Sequence, residues 1–403
     1  MRRASIRAAS IVESATSGMA AQARALKLKG VDVISLSQGE PDFPTPEFIC
    51  DAAKKAIDSG KYFSYPPTGG YVDLKEAIAL KYKIENGVGY NPSNIVVCNG
   101  AKQALSSTIL SVLDPGDEAI ILGPFWVSYY AQVTLAGGKP IVINGKFENG
   151  FKPPIDQLEE AINNKTRLII FSSPSNPTGV VYPKKDLEQI ANLVLRYPDV
   201  LVISDEIYEH INYTNARVSF ASLPGMFERT ITINGFGKCF AMTGWRVGYL
   251  AAPEWIASEV TKMQGHLSSS NSSIAQRAAL AALTGDNTSV RNMVSEYRQR
   301  RDMVHNLFGS IPGVETVLPD GAFYFFPKVS RYYGSKAAGI EIRNSDDLCT
   351  YLLKEAHVAL VPGSAFGDDE CVRLSYAASR QELSPALTRI QEAIHKLEMV
   401  QYA

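Results

Sequence analysis

At 403 residues the chain is long enough for two or three domains with a sizeable core. Forty Lys and Arg against 41 Asp and Glu leave a formal charge of −1, which puts nucleic acid and anionic membranes at a disadvantage as partners. With 45% hydrophobic and 20% charged residues the composition is globular rather than disordered. No apolar run approaches the ~20 residues of a membrane span.

The chain opens on MRRASIRAASIV, where Arg2, Arg3 and Arg7 precede the first acid, Glu13. We read this as a basic leading segment of the folded protein, with a plastid or mitochondrial address as the alternative. Between about residues 90 and 250 the rhythm is strand, turn, helix, repeated. Short β-rich runs at 94–98 (NIVVC), 118–122 (EAIIL), 167–171 (RLIIF), 200–204 (VLVIS), 230–233 (TITI) and 247–250 (VGYL) are too short for helices and too apolar for surface loops. Helical patterns at 101–113 and 185–196 lie between them, the second with Leu187, Ile190, Leu193 and Val194 on one face. This alternation predicts an α/β fold, a mostly parallel sheet covered by helices on both faces. From 290 to 308, Met293, Val294, Tyr297, Val304 and Leu307 fall near one stripe. That run reads as a connecting helix into a smaller α+β domain.

The five cysteines (Cys50, Cys98, Cys239, Cys349, Cys371) are odd in number and dispersed, as in proteins that keep reduced thiols in a cytoplasmic setting. The five histidines show no metal-ligand spacing, so no metal site is expected.

Ligands of open α/β sheets bind beyond the carboxyl ends of the strands, so the polar residues that follow each run are the candidates. After NIVVC, Asn99-Gly100-Ala101-Lys102 opens a helix whose free N–H groups suit an anion such as phosphate. After RLIIF, the loop SSPSNPTG holds Asn176 between two prolines, either as a ligand or as a cap of its own turn. Asp205 stands at the mouth of VLVIS, where a carboxylate needs a cation or strong donor, and Tyr208 follows three residues on. Lys238, in NGFGKCFAMTGWR, is an ammonium among glycines and aromatics, and such a lysine can lose its proton and act as a Schiff-base nucleophile. Arg246, eight positions later, suits a phosphate. Arg373 sits inside an apolar strand, VRLSY, and its fork needs a carboxylate from the protein or from a substrate. Pyridoxal phosphate uses all of these: a Schiff-base lysine, an acid on its pyridinium nitrogen and a phosphate cup.

The segments GEPDFPTP, SPSNPTG, SDEIYEH, NGFGKCFAMTGWRVGY and VRLSYA resemble, in order and spacing from about residue 10 to the end, the class I aminotransferases of fold type I, specifically the bacterial and plastid-type aspartate aminotransferase branch. The resemblance implies a large pyridoxal-phosphate domain over 41–295 and a smaller α+β domain built from 1–40 and 296–403. It implies that Lys238 bonds the cofactor and shuttles a proton, that Asp205 meets the ring nitrogen, and that Tyr208 and Asn176 meet the phenolic oxygen. Trp126 would stack on the ring and border the substrate. Gly100, Ala101 and Arg246 would hold the phosphate, joined by Tyr65 from the partner subunit of a homodimer with shared active sites. Gly39, Asn176 and Arg373 would take the substrate α-carboxylate, and Lys102 the distal one. The implied reaction is ping-pong transfer of nitrogen between aspartate or glutamate and their 2-oxo acids. Aromatic or prephenate transamination and β-elimination are the alternatives. Relatives often carry Lys or Arg near position 12 as a second distal ligand; Val12 here cannot serve, whereas Thr16 with Lys102 resembles the pair of prephenate-using members.

Overall fold

The computed structural model describes residues 4–214 and 217–397. Arg2 and Arg3 of the basic opening therefore lie outside the described residues, while Arg7 is exposed in a short helix, Ile6–Ala9.

The central sheet has seven strands: β1 (Ile95–Cys98), β2 (Glu118–Gly123), β3 (Lys139–Asn144), β4 (Thr166–Ser172), β5 (Leu201–Asp205), β6 (Thr230–Gly235) and β7 (Gly248–Ala251). Their order is β1-β7-β6-β5-β4-β2-β3. The pairs from β6 through β3 are parallel, and β7 is antiparallel to both β1 and β6. The sequence explains the exception, because 236–247 contains no helix to carry the chain back across the sheet, so the next strand returns in the opposite direction. Six strands fall where the apolar runs predict them. The seventh, β3, is an edge strand with only Ile143 buried and with Pro140 inside it, so it lacks the continuous apolar run of a central strand.

Helices α1 (Val72–Lys81), α2 (Ala101–Val112) and α3 (Lys184–Val194) pack with others on the sheet. The long α4, Thr288–Gly309, starts two residues before the apolar stripe begins. Beyond it lies a second core assembled from both chain ends: Met19 to Leu36 and Met293 to Leu397 share it, with Tyr208, Ile211 and Tyr213 added from the turn after β5. The ends are joined by parallel pairing of Ile34 and Ser35 with Val358 and Ala359. A partly buried ion pair adds to this, Arg300 meeting Asp42 at 2.8 and 3.0 Å while donating to the carbonyls of Ala377 and Ala378. In this second body β8 (Tyr324–Phe325), β9 (Val361–Pro362) and β10 (Val372–Ser375) form an antiparallel sheet with β10 in the middle. No helix among the described residues is long and apolar enough to cross a membrane.

Candidate active site

The carboxyl ends of β1, β2, β4, β5 and β6 point to one cavity of about 350 Å³, and β10 of the second body closes it from the opposite side. It brings together Gly39, Gly100, Ala101, Lys102, Trp126, Asn176, Asp205, Tyr208, Lys238, Arg246 and Arg373. One predicted participant, Tyr65, is elsewhere: it is 91% exposed and borders a different surface cavity. Val12, which its side chain excludes as a distal ligand, is 90% exposed and borders a third.

Lys238 follows β6 after two residues, Phe236 and Gly237, and its Nζ donates to the Gly39 carbonyl at 2.6 Å. Burial, helped by Arg373 and Arg246 and opposed by Glu40 and Asp205, brings its pKa down to about 8. Asp205 ends β5 and is buried; Tyr129 Oη donates to Oδ2 at 2.7 Å and the Ile207 amide to Oδ1 at 3.2 Å. Burial lifts its pKa to about 6 against those donors and Lys238, so the carboxyl lacks a full cationic partner. Tyr208 Oη bonds Tyr324 Oη at 2.7 Å. Lys102 Nζ lies 5.0 Å from the centre of the Trp126 ring, and burial followed by Arg246 lowers its pKa.

Arg373 is 1% exposed, between the rings of Tyr324 and Phe366 at 4.6 and 4.8 Å. Its Nη1 donates to Asn176 Oδ1 at 3.0 Å and its Nη2 to the Ser37 carbonyl, while Nε has no partner. Among the described residues no carboxylate neutralises it. A buried guanidinium in this state is completed by an anion entering the cavity.

At the start of α2, Gly100 has φ 85° and ψ 163°, a conformation essentially confined to glycine. A Cβ there would lie 2.5 Å from Arg246 Nη2, and no side chain caps the helix. Arg246 itself donates to the backbone carbonyls of Thr243 and Asn99 and is paired with no acid among the described residues. An open helix start facing an arginine is a phosphate cradle. The donor set thus fits pyridoxal phosphate: a cradle at one end, an undercompensated buried acid at the other, and an amine of lowered pKa between.

Several contributors escaped sequence reasoning. Tyr129 stands three positions after Trp126 at the opening of a helix, and the two rings meet edge to face with centres 5.6 Å apart. Tyr324 lies in an aromatic strand segment indistinguishable from core, and Ser37 contributes only a backbone oxygen, so neither leaves a signal. Thr16 also lines the cavity, its Oγ1 buried and unpartnered.

Residues 31–390 match the model of the family "Aminotransferase class I and II". The chain is 49% identical over 96% of its length, and 81% of the relative's, to a bifunctional aspartate aminotransferase and glutamate/aspartate-prephenate aminotransferase of Petunia hybrida. It is 44% identical to an aspartate aminotransferase of Geobacillus stearothermophilus, over 95% of this chain and 97% of that one. The crystal structure of the aspartate aminotransferase from Rhizobium meliloti superposes with a TM-score of 0.95 at 40% identity, covering 99% and 100% of the two chains. The chain belongs to the class I and II aminotransferase family, as an enzyme of fold type I dependent on pyridoxal phosphate.

Proposed function

We propose that the protein transfers the amino group between L-aspartate or L-glutamate and the corresponding 2-oxo acids in a homodimer. The observation that carries this reading is Arg373, buried with Nε open and no protein carboxylate, in one cavity with the Lys238 amine and the Lys102 ammonium. A dicarboxylic substrate satisfies both cations, the α-carboxylate on Arg373 with Asn176 and Gly39, the distal one on Lys102.

Pyridoxal phosphate, when bound, supplies the carbonyl that carries nitrogen and the ring that withdraws electrons from the substrate α-carbon. Gly100, Ala101 and Arg246 would hold its phosphate, Trp126 would flank its ring, Tyr208 and Asn176 would meet its phenolic oxygen, and Asp205 would keep the ring nitrogen protonated. Lys238 Nζ, uncharged for part of the time near neutral pH, takes the proton from the substrate α-carbon and returns it on the other side of the transfer. The exposure of Tyr65, outside the cavity of its own chain, supports its reaching the phosphate of a partner subunit. The two bodies of the fold meet at this cavity, and the free thiols suit a reducing compartment, the cytoplasm or an organelle interior.

Incubation with aspartate and 2-oxoglutarate tests the reading: oxaloacetate and glutamate are expected, whereas pyruvate with free ammonia would show β-elimination instead. Prephenate is a second acceptor on this reading, because the unpartnered Thr16 Oγ1 offers a hydroxyl contact beside Lys102 and the Petunia relative carries that activity in its name. Glutamate-dependent loss of prephenate, weakened in Thr16→Val, is the expected result.

A further inference from the structure

A second cavity, of about 690 Å³, lies on the reverse side of the turns that carry Tyr208 and Lys238. Its volume is in the ~300–1,000 Å³ range of small-molecule sites. His210 and Phe240, each two residues beyond one of those side chains, form its inner wall. Its flanks are the end of α1 with the following turn, and the first half of α4, the helix that runs into the second body.

The lining is cationic on one side. Lys81, His210, Arg217, Arg291 and Arg298 face the cavity against one lining acid among the described residues, Glu85. Glu209 neutralises Lys81 from behind and Asp286 sits 3.6 Å from Arg291, which leaves an excess of two positive charges. Burial lowers the pKa of His210, but Glu209, Cys239 and Glu85 outweigh it and lift the value to about 9, so the ring is charged at neutral pH. Arg298 spends Nη2 on the Tyr213 carbonyl at 2.8 Å rather than on an acid.

The rest of the lining is apolar. Leu80 and Ile84, one helical turn apart, are 56% and 73% exposed, and Leu283, Val290 and Val294 line the same cavity. Tyr82–Asn86 is a π-turn, a rare geometry that recurs at functional sites, and within it the consecutive Ile84 and Glu85 both line the cavity.

We propose that this cavity is a second binding site, for a small organic acid with an apolar or aromatic body, and that its occupant acts from behind on the turns holding Tyr208 and Lys238. An anion among Arg217, His210 and Arg298 competes with Glu85, which accepts from His210 Nε2 at 2.8 Å and lies 3.6 Å from Arg217. His210 Nδ1 is 3.8 Å from Glu209, which accepts from Asn234 at 2.6 Å; Asn234 in turn holds the Gly235 amide at 2.7 Å, where the Lys238 turn begins. The binding half of the proposal stands apart from the aminotransferase reading; only the coupling half rests on Lys238 as the catalytic amine.

The test is a fluorescence titration of the holoenzyme with 8-anilinonaphthalene-1-sulfonate, an aromatic body bearing one sulfonate, in saturating succinate to fill the substrate site. One probe per chain is expected, insensitive to succinate and bound at least tenfold more weakly by Arg298→Glu and by Leu283→Trp, with kcat of both variants unchanged in the absence of probe. Displacement of the probe by succinate, or wild-type binding in folded Arg298→Glu, overturns the site. Coupling predicts that the probe moves the pH midpoint of the visible absorbance of the lysine-bound cofactor in the wild type but not in Arg298→Glu. An unmoved midpoint with the probe bound overturns the coupling alone.

Discussion

Two cations of the cavity define what single residues contribute. With its pKa near 8 rather than the ordinary 10.5, Lys238 is uncharged roughly two hundred times more often at pH 7.5 than a solvated lysine. Borohydride trapping of pyridoxal phosphate on the apoprotein is therefore expected to rise with pH through about 8, and to vanish in Lys238→Ala. A midpoint above 10 would show that the ammonium is not destabilised by its surroundings. Arg373 makes the other prediction. Its fork is already half committed to Asn176 and Ser37, so a carboxylate completes a planar set that Lys cannot reproduce. Arg373→Lys and Arg373→Ala should each lower kcat/KM for aspartate by about a hundredfold or more, in line with ~3 kcal/mol for a buried charge-assisted pair. Equal kcat/KM in variant and wild type would place the α-carboxylate elsewhere. Both residues were conspicuous in the sequence as charges in apolar company, whereas the partners that tune them, Tyr324 and the Ser37 carbonyl, were not, because a core aromatic and a backbone oxygen carry no compositional mark.

Turns decide the geometry one level up. The proposed phosphate cradle turns on Gly100: alanine there would hold a strained backbone costing ~1–3 kcal/mol and would set Cβ 2.5 Å from Arg246 Nη2. Gly100→Ala should weaken pyridoxal phosphate binding about tenfold or more in an equilibrium titration of the apoprotein. Undiminished affinity would remove Gly100 and Arg246 from the cradle. The ionic cluster behind the active-site turns makes a pH prediction. The folded pKa of His210, about 9, exceeds its ordinary 6.5, so its stabilisation is complete below about 6.5 and is lost as pH rises through 9. Thermal unfolding of the wild type should lose stability over that window more steeply than His210→Gln, by at most one proton's worth, ~1.4 kcal/mol per pH unit. Parallel pH profiles would contradict the charge on His210. At this scale the strand runs were legible because both faces of a central strand are buried, which leaves uninterrupted Val and Ile. Strand β3 was not, since only Ile143 of it is buried and Pro140 interrupts it, whereas β1 at the other edge is buried throughout.

Across the whole molecule the question is how many chains make one site. Tyr65 lies outside the cavity of its own chain, so a shared site predicts complementation between two inactive variants. Lys238→Ala and Tyr65→Ala, unfolded and refolded together, should recover about a quarter of wild-type sites, the share expected when half the dimers are hybrids with one intact site each. No recovery above the separate variants would confine each site to one chain. The linear chain by itself determined the alternation of elements, the residues at the strand ends and hence the cofactor chemistry, because these depend on local pattern and on residue type. What only the tertiary structure decided is convergence. Gly39 and Arg373, 334 positions apart, meet Lys238 because the two chain ends pair as strands and share one core, and the cavity behind Lys238 exists because α1, α4 and the turn after β5 leave a gap. Such distances are set by how helices and sheets pack, and no local pattern in the sequence records them.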